Sequence, residues 1–108
     1  MAYDLQIEPR EVKERLDRGE MLVLLDVREP WEHAICRIEG SILVPMSELA
    51  SRLDFLEKAQ NVVVYCHMGV RSLNAAAWLR DQGVAGARSL AGGIARWTDE
   101  IDSFLGRY

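Results

Sequence analysis

The 108-residue sequence predicts a single α/β domain whose mainly parallel sheet is covered by helices on both faces. Two apolar runs, over residues 21–25 and 62–65, are continuous rather than alternating, which is typical of parallel strands buried on both faces. Segments with apolar residues at helical spacing lie between such runs, and this alternation favours strands joined by crossover helices. The length suits one hydrophobic core, so we expect residues 1–108 to form one domain.

The N-terminal half predicts two helices and two strands. Pro9 suits a first helical turn, and Val12 and Leu16 continue at helical spacing until Gly19 ends the helix. The strand over residues 21–25 leads into a charged cluster, which lies where open α/β sheets place their ligands. We then expect a short helix over residues 31–36 and a brief strand over residues 42–44 that stops at a proline.

The C-terminal half continues the alternation. Ser47 and Glu48 start a predicted helix that carries Leu49, Leu53 and Leu56. The β-branched run at residues 62–65 predicts the next strand, and an alanine-rich helix that Gly83 closes follows its loop. The last predictions are a strand over residues 88–90, a turn over residues 91–93 and a helix over residues 94–101.

Composition excludes several classes of function. The net charge of −4 argues against a nucleic-acid partner, which requires clustered lysine and arginine. No apolar run approaches the roughly 20 residues that span a bilayer, and the N-terminus has no basic segment followed by an apolar one. Two cysteines, Cys36 and Cys66, are too few for a disulfide scaffold and suit a reducing compartment. We therefore expect a cytoplasmic protein that does not bind a membrane.

The segment from Cys66 to Arg71 is the first candidate for chemistry. It must reverse the chain between a strand and a helix, so several N–H groups are expected to point inward without strand or helix partners. Such donors hold a thiolate or an anionic substrate atom, at about 1.5–3 kcal/mol for each charge-assisted hydrogen bond, against about 0.3–1 kcal/mol for a helix dipole. The interpretation requires inward amides and a sulfur that solvent can reach.

Three separated segments together resemble a single-domain rhodanese, a member of the sulfurtransferase family. They are Asp26-Val27-Arg28-Glu29 with Trp31-Glu32 and Ile38-Glu39-Gly40-Ser41, the loop Cys66-His67-Met68-Gly69-Val70-Arg71-Ser72, and Leu90-Ala91-Gly92-Gly93 with Trp97. The resemblance implies a rhodanese-like, five-stranded, mainly parallel sheet with helices on both faces and no metal or organic cofactor. One departure is Cys36-Arg37, where many members carry Gly-His.

The resemblance implies that Cys66 is a nucleophile. It would take the outer sulfur of a small anionic donor such as thiosulfate, become a persulfide, and pass the sulfur to cyanide or a thiol. The simpler interpretation of a free cysteine at a strand end is a small buried hydrophobe. The amides of the loop would stabilise the anionic sulfur, and these expected substrate-binding residues are His67, Met68, Gly69, Val70 and Arg71.

Other polar residues leave alternatives open. Arg71 either contacts the donor's anionic end or pairs with a helix carboxylate. Asp26 and Arg28 either orient the loop in support or form an ion pair at a strand end, and the ion pair is favoured. We expect His67 at the solvent-facing rim, and Cys36 in packing rather than as a resolving thiol. A metal set built from His33, Cys36, Cys66 and His67 is not expected.

Two other functions remain as alternatives. One is a persulfide carrier module that serves a sulfur-relay protein with the same residues. The other is a phosphatase or arsenate reductase on the same loop. A tyrosine-phosphatase-like loop has one more residue between cysteine and arginine than the four found here, and a tighter ring suits one extra sulfur better than a tetrahedral oxyanion.

Overall fold

A computed structural model describes residues 5–106 and 108 of the protein and shows a five-stranded sheet with α-helices on both faces. The elements in chain order are β1 (Gln6–Ile7), α1 (Pro9–Asp17), β2 (Val23–Asp26), α2 (Pro30–Ile35), β3 (Ile42–Leu43), a 3-10 helix (Met46–Arg52), α3 (Leu53–Glu57), β4 (Val62–Tyr65), α4 (Val70–Asp81), β5 (Ala87–Leu90) and α5 (Gly93–Glu100).

The strands lie in the order β1-β5-β4-β2-β3, and every pairing is parallel. The central strand β4 pairs with β2 from Val23 opposite Val62 to Asp26 opposite Tyr65. The carboxyl ends of these two strands therefore meet at the same edge of the sheet. Cys66 follows β4 directly at that edge, next to the charged residues that follow β2.

The core is divided between the two faces of the sheet, because successive residues of a strand point to opposite sides. Val62 and Val64 pack with α3 and α4, whereas Val63 and Tyr65 pack with α1 and α5. The buried members of the first face are Leu25, Val27, Val44, Leu49, Leu56, Val62, Val64, Cys66, Ala75, Ala76, Leu79, Val84 and Ala87. Those of the second are Ile7, Val12, Leu24, Ile38, Val63, Tyr65, Leu90, Ile94 and Trp97.

The architecture confirms the predicted α/β class, with two differences of detail. β1 was not predicted from its own residues, because an edge strand of two residues carries no recognisable pattern. The helix predicted from Ser47 is wrong in its first half, which is a 3-10 helix that precedes α3. Ser51 Oγ donates to Glu48 O at 2.7 Å, and such local hydrogen bonds compete with the α-helical pattern. Among the described helices, none is long and apolar enough to cross a bilayer.

Candidate active site

Cys66 lies between the end of β4 and the start of α4, with main-chain donors directed at its sulfur. The N–H groups of Gly69 and Ser72 donate to Cys66 Sγ at 3.2 and 3.3 Å, and Ser72 Oγ lies 3.4 Å from it. Ser72 is in the first turn of α4, where N–H groups have no acceptor within the helix. The chain reversal therefore supplies the inward donors that the sequence predicted.

The donors are not all those expected. Of the five predicted loop residues, Gly69 alone donates its N–H to Sγ within the described chain. Ser72, which the sequence analysis did not single out, donates its amide to the sulfur, and its hydroxyl oxygen accepts from the Cys66 thiol. Its position in the first turn of the helix after Cys66 was the available signal, since that turn must place its N–H groups outside the helix ladder.

Access to the sulfur differs from the expectation. Cys66 is 1% exposed, so an open sulfur is not found, and a reactant must displace part of the surrounding surface to reach it. Two side chains of the same loop are far more exposed than Cys66: Met68 is 65% exposed and Val70 is 70% exposed. The sulfur is therefore reached only when the surface around the loop opens locally.

Ser89 extends the contact from the sulfur into β5. The hydroxyls of Ser72 and Ser89 lie 2.7 Å apart, and both residues are buried. Burying a hydroxyl without a partner costs free energy, so the two hydroxyls satisfy each other while one of them faces Cys66. Ser89 was not identified from the sequence because only the pairing of β4 with β5 brings it near.

The N-terminus of α5 holds the outer side of the loop. Ile94 N–H donates to Cys66 O at 2.8 Å, and Ala95 N–H donates to His67 O at 3.0 Å. This contact leaves no space for a side chain at Gly93, whose φ is +63° and where a Cβ would lie 2.5 Å from Cys66 O. The predicted glycine turn therefore serves a close approach between backbones.

Arg71 pairs with a helix carboxylate, which was one of the two alternatives. Its Nη1 and Nη2 donate to the two carboxylate oxygens of Glu32 at 3.0 and 2.9 Å. The hydrogen bond between Arg71 and Glu32 lowers the pKa of Glu32 and raises the pKa of Arg71. Glu32 was missed as a site residue, although it lies in a first helical turn, where carboxylates are favoured.

Asp26 and Arg28 form the ion pair that the sequence favoured. Arg28 Nε and Nη2 donate to the two oxygens of Asp26 at 2.9 and 2.8 Å, and both residues are completely buried. Burial raises the pKa of Asp26, but hydrogen bonds from Arg28 and His33 outweigh it and hold this pKa below its usual value. Neither residue touches Cys66 Sγ, so the pair supports the strand ends rather than the reacting atom.

Tyr65 joins this pair to the chain before Cys66. Its hydroxyl donates to Asp26 Oδ2 at 3.2 Å, accepts from Ile38 N–H at 3.2 Å and lies 2.9 Å from Ser41 Oγ. Burial is the largest reason why the pKa of Tyr65 is raised to about 12. The guanidinium of Arg28 lies over its ring, 5.4 Å from the centroid. The residue before Cys66 is thus fixed on several sides.

An aromatic contact marks the rim of the site. The His67 ring stacks on Tyr108 with 6.0 Å between centroids, and Tyr108 meets Trp31 edge-on at 5.6 Å. His67 makes no hydrogen bond to Cys66 Sγ, which agrees with the predicted rim position. We call the exposed side chains of Trp31, Met68, Val70 and Tyr108, together with the partly buried His67, the rim.

The second cysteine packs on the other face of the sheet. Cys36 is partly buried against the cluster that contains Tyr65, whereas Cys66 belongs to the opposite cluster. Both thiols are free. This placement agrees with a packing role for Cys36. No group of three or more histidine, cysteine or acidic residues in the described chain is arranged to hold a metal ion.

The comparison with protein families agrees with this geometry. The model of the rhodanese-like domain matches residues 8–100. The chain belongs to the rhodanese-like family. A rhodanese-related protein from Thermoplasma volcanium has the same fold, with a TM-score of 0.79, 32% identity, and coverage of 89% of this chain and 92% of that one.

Two curated relatives bear on the chemistry. The sulfurtransferase of Allochromatium vinosum is 35% identical over 92 residues, which cover 85% of this chain and 86% of that protein. The probable adenylyltransferase/sulfurtransferase MoeZ of Mycobacterium tuberculosis is 38% identical over 104 residues, which cover 94% of this chain but only 26% of that protein. This rhodanese-like chain therefore spans about a quarter of the MoeZ relative, and the family supports a sulfurtransferase.

Proposed function

We propose that the protein transfers a sulfane sulfur from a donor such as thiosulfate to cyanide or a thiol, through a persulfide on Cys66. The observation that carries this proposal is the pair of N–H groups, from Gly69 and Ser72, directed at Cys66 Sγ. Each such bond to an anionic sulfur contributes about 1.5–3 kcal/mol, so the two favour a thiolate and then a persulfide anion at this position.

The two steps need no oxidant or metal. The Cys66 thiolate attacks the outer sulfur of thiosulfate, the sulfur–sulfur bond breaks, and its electron pair leaves with sulfite. An acceptor thiolate or cyanide then attacks the terminal sulfur of the persulfide, and the electron pair of that bond returns to Cys66 as the thiolate. Charge stays on sulfur in both steps, so a neighbouring general base such as His67 is not required.

The remaining predicted residues have supporting roles in this proposal. Val70 and Arg71 lie in the first turn of α4, so their N–H groups have no acceptor within the helix and are available to the added sulfur. His67 and Met68 contribute main-chain groups of the same loop. Asp26 and Arg28 stabilise the strand end beside the loop. Because Cys66 is buried, sulfur transfer requires a local opening of the surface around the loop.

Mass spectrometry of the intact protein tests the proposal directly. After incubation with thiosulfate, we expect a gain of one sulfur atom that maps to Cys66 and is lost on addition of cyanide. Cys66→Ser should abolish the gain without unfolding the domain, whereas Cys36→Ser, on the opposite face of the sheet, should keep most of it. Equal loss in both variants would overturn the assignment of Cys66.

A persulfide carrier that serves a sulfur-relay protein is the second candidate function. The burial of Cys66 and the exposed apolar side chains around it favour delivery by a docked partner over free diffusion of thiosulfate. The MoeZ relative, whose name joins an adenylyltransferase to a sulfurtransferase, is consistent with such a partner. A carrier should load rapidly from the persulfide of a cysteine desulfurase and only slowly from thiosulfate.

The phosphatase or arsenate reductase alternative has less support. An oxyanion needs a guanidinium directed into the loop, but both Nη atoms of Arg71 are bound to Glu32. Steady release of phosphate from an aryl phosphate, with no sulfite formed from thiosulfate, would favour that alternative.

The free thiols of Cys36 and Cys66 support a reducing compartment, and we infer that the protein acts in the cytoplasm.

A further inference from the structure

The charge around the sulfur is cancelled in pairs. Arg71 carries the one permanent positive charge of the segment 66–72, and it forms two hydrogen bonds with Glu32. The neighbouring guanidinium of Arg28 is likewise bound at two atoms by Asp26. Within the described residues, an anion beside Cys66 therefore meets main-chain N–H groups. The guanidinium groups of Arg28 and Arg71 are already bound to carboxylates.

Glu32 is held firmly in the position from which it binds Arg71. Its side chain is 6% exposed, and Oε1 also accepts the N–H of Glu29 at 2.9 Å. Arg71 is the more mobile partner, since 40% of its side chain is exposed. The carboxylate is thus a fixed anchor in α2, and release of Arg71 toward the sulfur requires the loss of two charge-assisted hydrogen bonds.

The rim adds apolar surface rather than charge. Met68 and Val70 carry the most exposed side chains of the loop, and Trp31 and Tyr108 are about half exposed beside His67. Exposed apolar side chains that surround a buried reactive atom mark a contact surface for an apolar group. The surface around Cys66 therefore suits a sulfur donor whose carrier is uncharged.

Thiosulfate and an organic persulfide differ in the charge that the site must accept. Thiosulfate brings two negative charges to a thiolate, and both stay on the departing sulfite, so a nearby cation favours this step. An organic persulfide, R–S–S⁻, brings one charge on a group that a pair of N–H donors can accept, and its carrier R can be uncharged.

We propose that Glu32 is a specificity-determining residue that withholds Arg71 from the sulfur site, so that Cys66 takes sulfur from persulfides on uncharged carriers in preference to thiosulfate. This inference rests on the proposed sulfur transfer. The Cys66 thiolate attacks the terminal sulfur of R–S–S⁻, the sulfur–sulfur bond breaks, and its electron pair leaves as R–S⁻, which takes a proton from water. The step conserves charge and needs no further reactant.

Three donors test the specificity of the wild-type protein. N-acetylcysteine methyl ester persulfide has an uncharged carrier, N-acetylcysteine persulfide differs from it by one carboxylate, and thiosulfate is the dianion. We expect kcat/KM for transfer to a common acceptor to fall in that order, by about tenfold or more overall, or about 1.4 kcal/mol. A peptide persulfide with apolar flanking residues distinguishes a protein source from a small-molecule source: faster transfer than from the ester favours a protein.

Two variants test the role of Glu32. Glu32→Gln keeps an acceptor for Glu29 N–H but weakens the bond to Arg71. The ratio of kcat/KM for thiosulfate to kcat/KM for the ester persulfide should therefore rise by about tenfold, through KM for thiosulfate. Glu11→Gln makes the same change in a more exposed pair with Arg15, away from the site, and serves as the control. Its expected effect on both donors is negligible.

Met68→Lys provides a test that does not depend on the α2 contact. It places a cation on the rim at a 65% exposed position and should raise kcat/KM for thiosulfate. Met21→Lys is the control, because it makes the same change at an 88% exposed position that precedes β2, at the opposite end of the sheet. Equal use of thiosulfate and the ester by the wild type would overturn the inference. A rise in Met68→Lys without one in Glu32→Gln would overturn the role of Glu32. Failure of every donor to add sulfur to Cys66 would instead reject the proposed function itself.

Discussion

Gly93→Ala is the change that most directly tests whether α5 shapes the loop around Cys66. Gly93 has a φ of +63°, a region that residues with a side chain rarely adopt. A Cβ at this position would lie 2.5 Å from Cys66 O and would also clash with His67 O, and both neighbours are backbone atoms that cannot rotate away. The loop and α5 must therefore separate to accept alanine.

The cost has two parts that a control variant separates. Gly19 has a φ of +80°, and a Cβ at that position would extend into open space, so Gly19→Ala measures the left-handed backbone alone, about 1–2 kcal/mol. Gly93→Ala carries that cost and also weakens the bonds from Ile94 N–H to Cys66 O and from Ala95 N–H to His67 O. Two backbone hydrogen bonds at about 0.5–1.5 kcal/mol each add about 1–3 kcal/mol.

Urea unfolding of both variants measures the difference in the free energy of unfolding. The rate at which Cys66 gains sulfur from a saturating donor, at a temperature where both variants are folded, measures the effect on the site. We expect Gly93→Ala to be the less stable variant and to load sulfur more slowly than Gly19→Ala. Equal free energies of unfolding together with equal loading rates would refute the reasoning that α5 positions the loop.

Two further predictions concern the buried polar groups. Ser72→Ala keeps the main-chain donor but removes the hydroxyl 3.4 Å from Cys66 Sγ, so the rate of sulfur loading should fall by about tenfold. Ser51→Ala, in the 3-10 helix, is the control. An unchanged rate in Ser72→Ala would contradict a role for the hydroxyl. The lowered pKa of Asp26 means that its carboxylate stabilises the fold above the unfolded pKa of about 3.9, and this stability is lost as the pH falls further. Asp26→Asn should weaken the dependence of the free energy of unfolding on pH in the acid range, and should lower that free energy by about 3–5 kcal/mol at neutral pH. Asp17→Asn, in an exposed pair with Lys13, should lower it by less than about 1 kcal/mol. Similar losses in the two variants would count against the contribution of the buried pair.

Local patterns account for most of what the sequence predicted about the fold. β4 is buried at every position, and such a strand must consist of a continuous apolar run because helices cover both of its faces. β1 has no comparable pattern, since two residues at a sheet edge cannot show a period. Its existence depends on the pairing of Gln6 with Ser89, which is a tertiary contact.

The same distinction applies to the site. Cys66 and its loop could be predicted because a strand, a short reversal and a helix start are consecutive in sequence. Glu32 and Ser89 could not, because they reach the loop from α2 and β5 through folding of the whole sheet. Arg71 shows the limit clearly: its positive charge was evident from the sequence, but whether that charge faces a substrate or a carboxylate depends on a residue 39 positions away.

The orientation of the loop amides follows from which group holds the carbonyls. In a planar trans peptide the C=O and the next N–H point in opposite directions. Because α5 binds the carbonyls of Cys66 and His67 on one side, the N–H groups of His67 and Met68 are turned to the other side. The following reversal then brings the N–H groups of Gly69 and Ser72 onto the sulfur. Helix α5 thus fixes the first two peptide groups after Cys66, from which the chain turns toward Gly69 and Ser72. A substitution at the start of α5 should therefore alter sulfur transfer even in a variant that stays folded.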